Sequence, residues 1–223
     1  MSARAQRLRV TYARGPQVRF VAHLDMMRFW ERALRRAQIR VSYSEGFSPH
    51  AQIQLGAPLS VGMTGRAEVL DVVVAETLTP DEFQRTLQAQ LPPGVEIRSV
   101  DEVALSDPAI QAQLRAADFE LRLRPDVDLD AVRNRVNLFL AAESFPWEHA
   151  REKSIKRYDF RPLVLMLRLE GDDESTRLVA RLKAEETGTG RADQLAAALG
   201  VADDVIGIER IGLVLAAPAV VDG

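Results

Sequence analysis

At 223 residues the chain lies between one large domain and two small ones, with 47% hydrophobic and 27% charged residues, as in an ordinary globular protein. It has no cysteine, which excludes disulfides, thiolate-held iron–sulfur clusters and cysteine nucleophiles and fits a reducing compartment. The net charge of -3 hides an asymmetry: residues 1–60 hold ten arginines, no lysine and three acids, a net +7, while the remaining 19 basic and 29 acidic residues give −10. One strongly basic part suits a polyanionic partner, or simply cancels against the acidic remainder.

In chain order, RLRVTYA at 7–13 alternates apolar and polar residues and predicts a strand. Gly15-Pro16 ends it, and a helix is expected from about Ala22 to Gln38. Ile39–Ser44 reads as a second strand, Gly46–Pro49 as a turn and Ala51–Leu59 as an extended segment. EVLDVVV at 68–74 is the clearest strand of this half. Thr79-Pro80-Asp81-Glu82 then has a capping threonine, proline at the first helical position and glutamate three residues on, so a helix starts there and stops before Pro92-Pro93-Gly94. Val95–Val100 is a further strand. The order is β-α-β-β-α-β, with room for the second strand to split around its turn, which predicts a ferredoxin-like split βαβ arrangement.

Ser106-Asp107-Pro108 should cap a short connecting helix over AIQAQLRAA. The second half repeats the element order. DFELRLR at 118–124 is a strand, and Leu129–Ala142 a helix capped by Asp128 or Asp130. An extended region runs through Trp147 and Tyr158 to Leu169, with Gly171-Asp172-Asp173 as a hairpin turn. Arg177–Lys183 is a strand, Thr187–Gly190 a loop able to accept a phosphate, Ala192–Leu199 a helix ended by Gly200, and Val205–Leu215 a closing strand. The expected fold is α+β: two tandem ferredoxin-like units with antiparallel sheets, at 1–104 and 118–223, joined by a helix at 105–117. No run approaches the roughly 20 apolar residues that span a bilayer, and the opening MSARAQRLRV lacks a signal-peptide pattern. A cytoplasmic chain with no membrane contact is expected.

On a helical wheel, Leu24, Met27, Trp30, Leu34 and Ala37 of the first helix share an arc of about 140°, a candidate core face. Arg28, Arg32, Arg35 and Arg36 fill an arc of about 100° on the other side. Guanidinium groups bind phosphate through a planar fork and stack on bases, so this stripe suits RNA or another anionic partner; a solvated face is the alternative. Phe47 and His50 stand in the turn beyond. If His23 and His50 meet, they could act as an acid–base pair, though with His149 they form no metal-binding spacing.

A second cluster, EHAREKSIKRYDFRP at 148–162, places Arg151, Lys153, Lys156, Arg157 and Arg161 among Trp147, Tyr158 and Phe160. Cations alternating with rings suit single-stranded RNA, whose backbone meets charge while bases meet rings. The alternative is a hairpin whose rings pack inward while its cations face water.

Several of these segments occur together in a known family. HLD at His23–Asp25, RALRRA at Arg32–Ala37, YSEGFSPH at Tyr43–His50, Asp71-Val72 and REKSIKRYDFRPLV at Arg151–Val164 resemble the bacterial radical SAM-linked family, also called domain of unknown function 2344. The resemblance implies partnership with a radical SAM enzyme and an RNA-related process. It implies no activity and no cofactor. A radical SAM enzyme holds its cluster through three cysteines, so this chain would not be the catalyst itself. The reading is a non-catalytic accessory protein that binds or presents RNA, tRNA or rRNA. Two alternatives stand beside it. One is a protein adaptor whose arginines meet an acidic partner surface. The other is a metal-independent endoribonuclease, like the tandem ferredoxin-like enzymes that cut repeat RNA, with His23 or His50 as base and Arg151 or Lys153 stabilising the transition state.

Overall fold

The structure is a computed structural model that describes residues 5–151, 154–171 and 175–216. The chain forms two compact units, Met1–Leu114 with Leu215–Gly223, and Arg115–Val214. The class is α+β, with antiparallel pairing throughout the strand registers given below. No helix among the described residues is long and apolar enough to cross a membrane.

The first unit contains β1 (Gln6–Arg14), α1 (His23–Arg36), β2 (Ile53–Leu55), β3 (Thr64–Val74), α2 (Pro80–Gln88), β4 (Val95–Val103) and a single turn, α3 (Ile110–Gln113). β1 pairs antiparallel with both β3 and β4, and β2 with the outer side of β3, so the order is β4-β1-β3-β2. Alternation along β1 turns Leu8, Val10 and Tyr12 to one face, level with Leu70 and Val72 of β3. That face packs on Trp30 and Leu34 of α1 and on Phe83 and Leu87 of α2, all fully buried. The Tyr12 and Trp30 rings meet edge to face at 4.8 Å. α2 starts as its sequence predicts: Thr79 Oγ1 accepts from the Glu82 amide at 3.2 Å, with Pro80 in the first position.

Two elements differ from expectation. Ile39–Ser44 forms no continuous strand. Ala75 N–H donates to Arg40 O and Ser42 N–H to Val73 O, after which the chain leaves β3 and returns as β2 opposite Leu70–Val72. Two pieces thus share one edge of β3, because the turn between them, with Gly46 at φ +123°, lifts the chain away. The connecting helix covers only Ile110–Gln113 of the predicted AIQAQLRAA. From Leu114 the chain is strand, since Ala116 and Ala117 are buried and pair with Lys183 and Leu182. Ladder bonds and burial there outweigh helix propensity.

The second unit contains β5 (Leu114–Leu123), α4 (Leu129–Ala141), β6 (Pro146–Arg151), β7 (Ser154–Asp159), β8 (Val164–Gly171), β9 (Thr176–Glu185), β10 (Gly188–Thr189), α5 (Ala192–Ala198) and β11 (Val205–Leu215). β9 lies between β8 and β5, β11 lies on the far side of β5, and β10 pairs antiparallel with the end of β9. Asp128 caps α4 by accepting from the Ala131 amide at 3.0 Å. β6 and β7 form a separate two-stranded hairpin inserted between α4 and β8, more regular than the extended region predicted there. Gly171 pairs with Thr176 at the β8–β9 connection; Asp172 and Asp173 of the predicted turn lie outside the described residues.

Candidate functional site

α1 buries Met26, Trp30, Ala33, Leu34 and Ala37, an arc centred about 130° from Leu24 on the wheel. Leu24 is therefore 69% exposed, not core, and Met27 is only partly covered. Phe20 (68%) and Val61 (57%), outside the helix, are similarly bare, and Gly62 N–H bonds Arg19 O, so exposed apolar residues surround the start of α1; of these the wheel predicts packing for Leu24 alone.

The four arginines are all exposed, as the wheel requires, but they are not equivalent. Arg28 pairs with Asp25 at 3.2 Å, and Arg36 donates to Gln90 O at 2.8 Å. The side chains of Arg32 and Arg35 have no hydrogen-bond or ion-pair partner among the described residues. Two uncommitted cations thus stand three residues apart on one face.

His23 is the first residue of α1 and partly exposed, while His50 is exposed. His50 closes a loop through its backbone: its N–H donates to Ser44 Oγ at 3.0 Å, and Ser44 N–H donates to His50 O at 2.8 Å. Neither imidazole has a hydrogen-bond partner among the described residues, so no neighbouring group orients either ring as a base. The loop carries Phe47 at its tip, with its relative exposure at 110%. No three acidic, histidine or cysteine side chains among the described residues cluster so as to hold a metal ion.

The second cluster is the β6–β7 hairpin. Its rings divide by role. Phe160 is fully buried and Trp147 packs between it (5.8 Å) and Phe145 (6.3 Å), with Phe139 completing the group. Tyr158 donates from its hydroxyl to Gln194 Oε1 at 2.7 Å, and Gln194 Nε2 lies 3.4 Å from His149 Nδ1, tethering the hairpin to α5. The cations divide too. Arg161 sits over the Phe139 ring at 5.6 Å and donates to the carbonyls of Val164 and Leu140, so it is structural. Arg157 pairs with Glu148 at 2.5 Å, and Lys156 lies exposed over the Tyr158 ring at 5.6 Å. Arg151 ends β6 opposite Ser154; Lys153 lies outside the described residues. A shallow pocket of about 570 Å³ opens beside Pro146, Glu148, Arg157 and Asp159.

Asp159 fixes the base of this hairpin. Its Oδ1 accepts from the Phe145 amide at 2.8 Å and the Arg161 amide at 3.0 Å. The Phe145 amide, followed by lesser contributions from the Arg161 amide and Ser144, holds the carboxyl below its ordinary pKa against a smaller opposing desolvation. A depressed carboxyl contributes stability that is present above its unfolded pKa and lost as pH falls through the folded value. The Phe145 and Arg161 amide resonances should therefore titrate together with a midpoint below the ordinary aspartate value. An Asp159→Asn chain should lack that step. A midpoint at or above the ordinary value would contradict the assignment.

One polar centre went unassigned in the sequence. Asp71, only 2% exposed on β3, receives two arginines from β1 on the sheet face opposite the core helices. Arg7 donates Nε at 3.0 Å and Nη2 at 2.5 Å to Oδ2. Arg9 donates Nε to Oδ1 at 2.8 Å and Nη2 to Oδ2 at 3.0 Å. These bonds keep Arg9 charged to higher pH than usual. Arg7 also donates to the carbonyls of Asp107 (2.8 Å) and Pro108 (3.0 Å), where the sequence predicted a helix cap. The signal was alternation in RLRV, which puts Arg7 and Arg9 on one face beside the acid in EVLDVVV.

An α+β protein with uncommitted surface arginines, a protruding aromatic loop and an inserted hairpin is the class these features define. The model of a family described as an uncharacterized protein conserved in bacteria (DUF2344) matches residues 7–192, and the chain belongs to that family. No curated protein matches. Among solved structures, the crystal structure of a Cbf5-Nop10-Gar1 complex contains a chain that aligns at 12% identity and a TM-score of 0.42. The alignment covers 91% of this chain and 47% of that one, so this chain spans about half its length.

Proposed function

We propose that the chain is a non-catalytic accessory protein of the cytoplasm that works with a radical SAM enzyme and binds or presents RNA. Each unit is read as ferredoxin-like, supported by the strand orders β4-β1-β3-β2 with α1 and α2, and β8-β9-β5-β11 with α4 and α5. The carrying observation is that Arg32 and Arg35 are exposed on one helix face without a carboxylate partner among the described residues, whereas Arg28, Arg40, Arg98 and Arg157 have one. An unpaired guanidinium is available to phosphate at no cost of breaking an internal pair. Lys156 supplies a further exposed cation in the second unit.

The test is binding of tRNA and rRNA fragments across a salt series. Arg32→Glu/Arg35→Glu should weaken binding at least about ten-fold near 0.1 M salt and flatten the log–log salt slope by about 2. Arg98→Glu, at a cation already paired with Glu96 at 2.7 Å, should change little. Absence of salt-dependent binding by the unsubstituted chain removes the proposal. If the double variant instead keeps its RNA affinity and loses nuclease-resistant co-purification with a radical SAM enzyme, the stripe is an adaptor surface.

A further inference from the structure

We infer that the Ser44–His50 loop holds an unpaired base of single-stranded RNA against the ring of Phe47. This rests on the RNA reading above and names the form of RNA that the first unit takes. A phenylalanine ring normally covers its apolar area on folding, and this one covers none, with a relative exposure of 110%. The loop that carries it is nevertheless closed. Ser44 and His50 exchange two hydrogen bonds, and Tyr43 pairs across from Ala51 at the loop's foot. Gly46 adopts φ +123° with nothing within 4 Å of the place a Cβ would take, so glycine serves the backbone turn there and no packing need. The result is an aromatic ring held out on a defined stem.

What surrounds the ring selects the ligand. Its loop neighbours are Ser44, Glu45, Gly46, Ser48 and Pro49, so one proline and the exposed Tyr43 at the foot are the apolar surface beside it, short of the surrounding apolar rim that a dry protein contact requires around an aromatic anchor. A nucleobase needs only a free π face. The apolar rim that a protein contact would want occurs at Phe20, Leu24 and Val61. The loop between Ser44 and His50 has no lysine or arginine, so its contribution is stacking alone, and the phosphate contacts fall to Arg32 and Arg35 of the same unit.

This division of labour has a signature. Phe47→Ala should bind a labelled single-stranded RNA of mixed sequence about ten- to a hundred-fold more weakly. Its salt slope should equal that of the unsubstituted chain, because no phosphate contact is lost. Binding of the same RNA as a perfect duplex should not change, since stacked bases present no face to the ring. Phe47→Trp should bind like the unsubstituted chain, and its emission should be quenched by the single strand and not by the duplex. The inference is overturned if Phe47→Ala binds normally, if it weakens single strand and duplex alike, or if Phe47→Trp emission does not respond. Loss of a protein partner with RNA binding intact overturns it as well. Failure of the unsubstituted chain to bind RNA at low salt removes the broader reading, whereas salt-dependent binding indifferent to Phe47 removes this inference alone.

Discussion

Asp71→Ala is expected to destabilise the first unit by about 3–5 kcal/mol, because it strands two guanidinium groups that are largely out of solvent. Side-chain exposure is 2% for Asp71, 6% for Arg7 and 17% for Arg9, so water can rescue neither cation fully. For a chain of this length the loss corresponds to a melting temperature lower by roughly 6–20 °C. Asp71→Asn keeps the shape and one acceptor oxygen and should fall between. Removing the whole centre should cost less than removing the acid alone: Asp71→Val with Arg7→Met and Arg9→Met should recover much of the loss, since apolar replacement of a buried ionic group is often neutral. Recovery should stay incomplete, because the Asp107 and Pro108 carbonyls lose the donors that Arg7 supplies. Urea denaturation followed by circular dichroism measures all of these. An Asp71→Ala chain within about 1 kcal/mol of the unsubstituted one would mean the triad is solvated or redundant.

Local chemistry was readable wherever it acts within one turn. The Thr79 and Asp128 caps depend only on residues up to three positions away, and both are present. Misreadings arose where a distant partner decides. Leu24 lies on the edge of the apolar arc, and only the position of the sheet under α1, meeting Met26 and Ala33, leaves it in solvent. AIQAQLRAA has the composition of a helix, yet its second half is claimed by pairing with β9, more than sixty residues away. The site followed the same division. Exposure of the arginine stripe and the turn at Gly46 was legible from periodicity and residue type. The exchange of Arg28 and Arg36 into internal contacts was not, nor was the burial of Phe160 and the capture of Arg161 by backbone carbonyls. Basic–aromatic interleaving has one pattern whether the rings face a ligand or a core; in β6–β7 the register puts Trp147 and Lys156 on one face, and the Phe145 and Phe160 rings at the root cover the first while the second stays exposed.

That register makes the hairpin's surface depend on a residue beneath it. Phe160 is fully buried, touches the Trp147 and Phe139 rings, and donates its amide to Phe145 O at 2.8 Å. Phe160→Ala should cost about 3–5 kcal/mol, from lost apolar burial and from the cavity left among the remaining rings. The damage should appear first in the hairpin, because Trp147, at the root of β6, packs directly on the Phe160 ring, and Phe145 leans on Trp147 and Phe139. On its other side the hairpin keeps the Tyr158–Gln194 hydrogen bond, whose net worth of about 1 kcal/mol cannot replace an aromatic floor. Hydrogen exchange of the amides along Trp147–His149 and Lys156–Tyr158 should accelerate at denaturant levels that leave the β5–β9 ladder protected. Phe160→Leu, which keeps most of the volume, should lose less than half as much. If the RNA reading holds, Phe160→Ala should also weaken binding through the displaced Lys156, with Arg32 and Arg35 still contributing their share of the salt dependence. Unchanged exchange in the hairpin of Phe160→Ala would show that β6–β7 is held by its own ladder and the Gln194 tether, and not by the ring beneath it.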